Sequence, residues 1–213
     1  MNYINTYSFI PTLLVVLYTL VVFSRLYGPP KTIVWFILLS GIIEIISRIL
    51  WFKSANNLPL LHVYVAAGFV CLTLFYEDIF KGVIGKKITR SILLLFLFFT
   101  LLNSLFIQGI FSYNSYALTA EAIIIIIYSL SCFIIMLNDV MKKRYHGMVF
   151  SINWINSGIF IYYTSSLLIF HFGHILALLT PSDMLTYTWV VHAFFSMVMY
   201  CCFFVALWNL PRK

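Results

Sequence analysis

Seven apolar stretches, at about 7–25, 31–51, 58–80, 89–110, 115–138, 149–175 and 185–209, take up most of this 213-residue chain. Crossing ~30 Å of hydrocarbon takes about 20 residues of helix, and each stretch is of that order. With 63% hydrophobic and only 9% charged residues, the composition excludes an ordinary water-soluble domain. The expected architecture is all-α: one polytopic domain over 1–213, a bundle of seven transmembrane helices with short connections. The first stretch is expected to stay as a helix, because Ser24, Arg25 and Leu26 form no small-residue cleavage site.

The net charge of +7 sorts by connection. Arg25 and Lys31 lie between the first and second stretches, and Lys81, Lys86, Lys87 and Arg90 between the third and fourth. Lys142, Lys143 and Arg144 follow the fifth, and Arg212 and Lys213 follow the seventh. The alternate connections hold only Lys53, with Arg48 near the end of the second stretch. Short basic connections stay cytoplasmic, so the N-terminus is expected outside and the C-terminus inside. This pattern accounts for the basic balance without nucleic acid, and it suits contact with anionic lipid. Cys71, Cys132, Cys201 and Cys202 all fall within apolar stretches, where they are expected to pack as small hydrophobes.

Punctuation between the stretches is of the ordinary kind. Gly28-Pro29-Pro30 opens the second, Asn56 and Asn57 can cap the third, and Gly109 and Asn114 frame the turn before the fifth. Thr180 and Pro181 end the sixth, with Ser182 and Asp183 able to cap the seventh. Only a few residues follow the seventh stretch, so any signal passed inward by such a chain is expected to go through a separate partner.

Ionisable residues inside spans are expensive and usually face the bundle interior with partners. Glu44, Arg48, His62, Glu121, His171, His174 and His192 all fall in the outer half of their stretches under this topology. Ser40, Glu44 and Arg48 repeat every four residues, as do Thr188, His192, Ser196 and Tyr200. Asn153, Ser157, Thr164, His171 and His174 follow a spacing near 3.6. Asn103 and Gln108 add polarity to the fourth stretch. The expectation is an outward-opening polar pocket that binds a small ligand, a proton or a lipid. Simpler readings stand beside it: Glu44 and Arg48 can neutralise each other along one helix, and His62, His171 and His174 can serve the interface. His171 and His174, at i,i+3, can also supply two ligands to a divalent metal completed by Glu121, His192 or His62. No HExxH or comparable signature accompanies them, and no cofactor is expected. Glu77, Asp78 and Asp139 sit among the basic residues at the other end, as solvated helix ends or as a docking surface.

Several short motifs carry a resemblance: Ile42 to Arg48 (IIEIISR), Phe75-Tyr76-Glu77, the run Phe150 to Gly158 (FSINWINSG) leading to Tyr162-Tyr163, and His192 after Trp189. Over nearly its whole length the chain resembles a group of small seven-helix proteins of Bacteroidetes-type bacteria, similar to the membrane-input region of sensor kinases. Where that group carries an Asn near the outer end of its third helix, this chain has His62. The resemblance implies signal reception and a kinase-type partner, in the cytoplasm or the membrane, and no particular ligand. It does not resemble retinal proteins, since the seventh stretch has no lysine for a Schiff base. Nor does it resemble the alkaline-ceramidase and progestin-receptor-like hydrolases, since His192 lacks a second His four residues away. A lipid-modifying membrane enzyme and a small channel or transporter, with homo-oligomers among its forms, are the alternatives.

Overall fold

The computed structural model describes residues 9–179 and 182–210, without the side chains of His174 and of residues 176–179 and 182–186. The break at Thr180-Pro181, capping by Ser182 and Asp183, the His174 imidazole, and Arg212 and Lys213 lie outside the described residues. Among those described, all regular structure is helical. The long helices are α1 (Phe9–Val22), α2 (Pro29–Phe52), α3 (Leu58–Phe80), α4 (Lys86–Leu102), α5 (Ser115–Leu137), α6 (Val149–Leu179) and α7 (Ser182–Trp208). A short helix, Asp139–Arg144, lies between α5 and α6.

Among the described residues, five helices are long and apolar enough to cross a membrane: α2, α3, α4 with its C-terminal turn, α5, and α7 from Tyr187 onward. The chain is a membrane protein of several apolar helices. The helix Phe9–Arg25, α1 with a 3-10 extension, is apolar but shorter. In α6, Ser151, Asn153, Asn156 and Ser157 make the first turns more polar.

Local chemistry sets the helix ends. Gly28 takes φ +57°, and Pro29 and Pro30 then supply fixed φ where the first N–H groups have no helical partner. At α3, Leu58 N donates to Asn56 Oδ1 at 2.9 Å, while Asn57 donates its amide to Ser47 Oγ at 3.0 Å. Asn56 therefore closes the helix start, and Asn57 ties it to α2. The short helix is capped by Asn138, whose Oδ1 accepts from Val140 N at 2.8 Å. The fourth apolar stretch does not continue as α-helix to 110. It ends in a π turn, Asn103–Ile107, closed by Gln108 N donating to Asn103 O at 2.7 Å.

Helices α1, α2, α3, α5, α6 and α7 pack in sequence around a closed ring, and α4 lies against α3 and α5 outside it. The packing between α6 and α7 is the most extensive. In hydrocarbon, close packing and interhelical hydrogen bonds replace the hydrophobic drive as the glue. A Cβ on Gly41 would lie 2.7 Å from Val16 Cγ2, so α1 and α2 meet at a glycine. Gly158 does the same for α6 and α7. Phe36, Tyr76, Ile125, Ile152 and Phe203 are fully buried in the bundle, and Phe69 is buried against Phe96 of α4 at 3.9 Å between centroids. Across it, Tyr76 donates to Asn156 Oδ1 at 2.9 Å, and Asn156 Nδ2 donates to Ser129 O at 3.0 Å.

The three basic connections gather at one end. Thr32 donates to Asp78, the Arg144 guanidinium donates to Lys81 O, and the Tyr145 hydroxyl donates to Asp78 O at 2.6 Å. These bonds latch the start of α2 and the end of the short helix before α6 onto the C-terminus of α3. Here Glu77, 7% exposed, accepts from Arg90 through both oxygens at 3.2 Å, and Lys86 lies 3.6 Å away. Both cations are more than half exposed, so solvent screens them. Glu77→Gln should lower stability by about 1 kcal/mol at low salt. Melting curves of both proteins at rising salt check this: the gap should narrow, and a gap that is constant would show that charge is not its source.

Candidate functional site

The end opposite the basic connections contains a cavity of about 390 Å³, within the range of small-molecule sites. Its wall draws on nearly the whole ring. Ile43 and Ser47 come from α2, and Leu58, Leu60, Leu61 and Tyr64 from the first two turns of α3. Leu118 comes from α5, Tyr162 and Phe170 from α6, and Trp189 and His192 from α7. Asn57 and Tyr113 enter from the connections, which places the mouth at this end. No side chain of the wall carries a formal charge apart from what His192 can acquire.

His192 joins α7 to α6. Its Nδ1 lies 3.0 Å from Ser166 Oγ and its Nε2 3.5 Å from the Tyr162 hydroxyl. The rings of Tyr162, Phe170 and Trp189 surround it at 5.3–5.7 Å between centroids. Ser166 is fully buried and forms no part of the wall, so this contact sets the orientation of the imidazole.

Glu121 is 4% exposed and lies one turn below Leu118, beneath the cavity floor. Its Oε1 accepts from the Tyr163 hydroxyl at 3.0 Å. Gly68 on α3 faces it, and a Cβ there would lie 3.8 Å from the same oxygen and 3.6 Å from the Phe36 ring. No cation pairs with Glu121 among the described residues.

Tyr113 rests its ring on Gly173 of α6, where a Cβ would come within 2.3 Å of Cε1, and meets Trp189 edge-on at 5.8 Å. Its hydroxyl is buried and has no hydrogen-bond partner. Burial pushes the phenol above its usual range, so it remains a neutral donor.

The remaining expected site residues go elsewhere. Glu44 accepts from Arg48 Nε at 2.9 Å, and the guanidinium lies 3.9 Å from the Phe9 ring centroid. That pair sits beside Ile43 and Ser47, outside the cavity wall. His62, 8% exposed, places Nδ1 2.8 Å from Ser104 Oγ and Nε2 3.1 Å from Ser112 O, tying α3 to the π turn and the connection after it. His171 is exposed, away from the cavity. The stripe expected to turn a polar face inward on α6 does not do so: Thr164 and His171 are exposed, while Ser151, Asn156, Tyr163 and Ser166 are buried. Among the described residues no three His, Cys, Asp or Glu side chains converge on a point that could hold a metal ion. Asn103 and Gln108 also leave the cavity aside. They bond Asn114 Oδ1 at 2.7 Å and Ser115 Oγ at 2.7 Å, a buried polar knot between α4 and α5.

No known family, curated protein or solved structure matches this chain. The site is therefore defined by its own geometry: His192 on its wall and Glu121 under its floor, with Glu44 and Arg48 beside it and His171 away from it. Sequence reasoning missed Tyr64, Tyr113 and Phe170, and it named Trp189 only as a landmark before His192. Nothing in a chain with 14 Tyr and 21 Phe marks these four rings out. Their convergence is a property of the ring of helices.

Proposed function

We propose that this chain is a receptor-like membrane module that binds a small ligand in the cavity and signals through a separate partner. In this reading all seven long helices span a bacterial inner membrane, with the N-terminus outside and the C-terminus in the cytoplasm. The gathering of Lys and Arg at one end supports the orientation, and the mouth then faces outward. One observation carries the functional reading: an uncharged cavity whose wall includes His192, bonded across the α6–α7 interface. A ligand that contacts His192, Trp189, Tyr162 and Phe170 favours one setting of that helix pair over another. The pair runs on to the basic end, where a kinase-type partner reads its position. The enclosure of Ser166 weighs against the Ser166–His192 contact acting as a nucleophile and base.

Spin labels at Lys143, beside the latch on α3, and at Asn209, just past α7, test the reading in a cysteine-free background. Leu61→Trp fills the cavity and stands in for an occupant. The inter-label distance should shift in Leu61→Trp and stay put in an exposed control such as Leu95→Trp. An unchanged distance removes the receptor reading. Solute flux into vesicles that is lost in Glu121→Gln would place the chain among transporters instead.

A further inference from the structure

We propose that an anionic phospholipid docks along α7 at the basic end, with its phosphate on Arg25 and an acyl chain in the groove that follows the helix. This stands apart from the receptor reading and rests only on the chain being a membrane protein.

The headgroup end lies where α1 and α7 close the ring. A cleft there is walled by Tyr18, Val22 and Leu26 on one side and by Leu207 and Trp208 on the other, with Arg25 among them. The Tyr18 ring packs on Phe204 at 5.0 Å and on Trp208 at 5.8 Å between centroids. Tyr and Trp at a helix end settle at the depth of the headgroups. A guanidinium at that depth meets phosphate oxygens through two parallel N–H donors.

Charge singles out Arg25 among the cations of this end. Lys86 and Arg90 face Glu77, Lys142 faces Asp139, and Arg144 donates to Lys81 O. Lys31 lies over the Phe23 ring, 5.5 Å from its centroid. Arg25 is exposed and, among the described residues, has no carboxylate within ion-pair distance. Lys81, Lys87 and Lys143 are exposed as well, but they line neither the cleft nor the grooves beyond it. The complement of a single unpaired cation beside an apolar cleft is one negative charge on an apolar body.

The surface of α7 continues the cleft into the hydrocarbon. Trp208 also lines a groove of about 190 Å³ with Phe204 and Val205. Val205 in turn lines one of about 370 Å³ with Phe194, Met197, Val198 and Cys201, closed on its far side by Trp154 and Cys202. Spacings of three and four residues put this run on one face of the helix. At about 1.5 Å per residue, Phe194 to Trp208 spans about 21 Å, enough for the ~15 Å of one leaflet's hydrocarbon. No charged side chain lines either groove. Methylene groups fill such a groove by close contact, as neighbouring helices do in hydrocarbon. A soluble anion makes no use of it, and a zwitterionic lipid brings its own ammonium toward Arg25.

The full-length protein in detergent is incubated with equal amounts of dioleoylphosphatidylglycerol and dioleoylphosphatidylcholine, and mass spectrometry of the intact protein counts the lipids retained. Phosphatidylglycerol should be favoured about fivefold, as one interfacial cation allows. Arg25→Gln should bring that ratio close to one, and Lys87→Gln should leave it in place. Cys201→Trp fills the groove from an exposed position and should reduce retention of both lipids. Melting points in lipid-free detergent check that each variant is folded. Excess glycerol 1-phosphate, a headgroup without chains, should displace neither lipid. A ratio unmoved by Arg25→Gln overturns the proposal, as does retention unmoved by Cys201→Trp. Displacement by glycerol 1-phosphate overturns it too, and marks a site for soluble phosphate instead. None of these variants touches the cavity, so the inter-label distance decides the receptor reading separately.

Discussion

Gly158→Ala should separate α6 from α7 and produce one of the largest stability losses that a single methyl group can cause here. A Cβ at this position would lie 2.9 Å from Cys202 Cβ, 3.1 Å from Met199 O and 3.3 Å from Met199 Cα. Two of those three atoms are backbone, and backbone cannot rotate out of the way. Relief requires moving one helix along its length, and the α6–α7 packing is the most extensive in the bundle. Overpacking of this kind costs about 1–3 kcal/mol, and the backbone contacts place Gly158 near the top of that range. Gly85→Ala is the matched control, because a Cβ there meets nothing within 4 Å and the native φ of −63° suits alanine. Thermal unfolding in detergent should show a marked drop for Gly158→Ala and none for Gly85→Ala. Equal melting points would mean that the helix pair is looser than its geometry.

Asn156→Ala should be comparably damaging for a different reason. Asn156 is fully buried and holds three helices at one point. Its Nδ2 donates to Ser129 O on α5 at 3.0 Å, and its Oδ1 accepts from the Tyr76 hydroxyl on α3 at 2.9 Å. Truncation leaves that hydroxyl without its acceptor in a place water does not reach. An unmet buried group costs about 1–3 kcal/mol, to which the lost amide volume adds. Tyr76→Phe removes the stranded donor, so the double variant should lose less than the two single losses combined. The coupling should be about 0.6 kcal/mol, the average for side-chain hydrogen bonds in a membrane bundle, and no more than about 1.7 kcal/mol. Strict additivity would show that the two side chains are not bonded in the membrane.

What the sequence disclosed depended on which physical signal it carried. Runs of apolar residues place the helices to within a few positions, because helix length in hydrocarbon is set by bilayer thickness and little else. The proline pair at 29 and 30 marked the start of α2 for an equally local reason. The fourth stretch was misjudged at its end because Asn103 and Gln108 bond residues beyond the turn, Asn114 and Ser115. A non-local partner leaves no trace in a local pattern. Orientation of polar residues was harder still. On α6 the 3.6-residue spacing of Asn153, Ser157, Thr164 and His171 was a genuine periodicity, yet Thr164 and His171 lie on the exposed side. The buried side is chosen by Ile152, Ile155, Ile159 and Tyr163, whose bulk fills the ring. In a membrane both faces of a helix are apolar, so amphipathicity loses the meaning it has in water. Glu121 and His192 stood out as costly residues in the apolar stretches, whereas the rings around the cavity resembled dozens of others.

Gly68 and Glu121 are neighbours, since a Cβ at 68 would just touch the carboxylate at 3.8 Å and any longer side chain would compete with it for space. Their sizes are therefore tied by geometry across the α3–α5 boundary. A lineage that shortens position 121 gains room for bulk at 68, while one that keeps the acid must keep a small neighbour. Phe36, 3.6 Å from the same Cβ position, bounds that bulk from the other side.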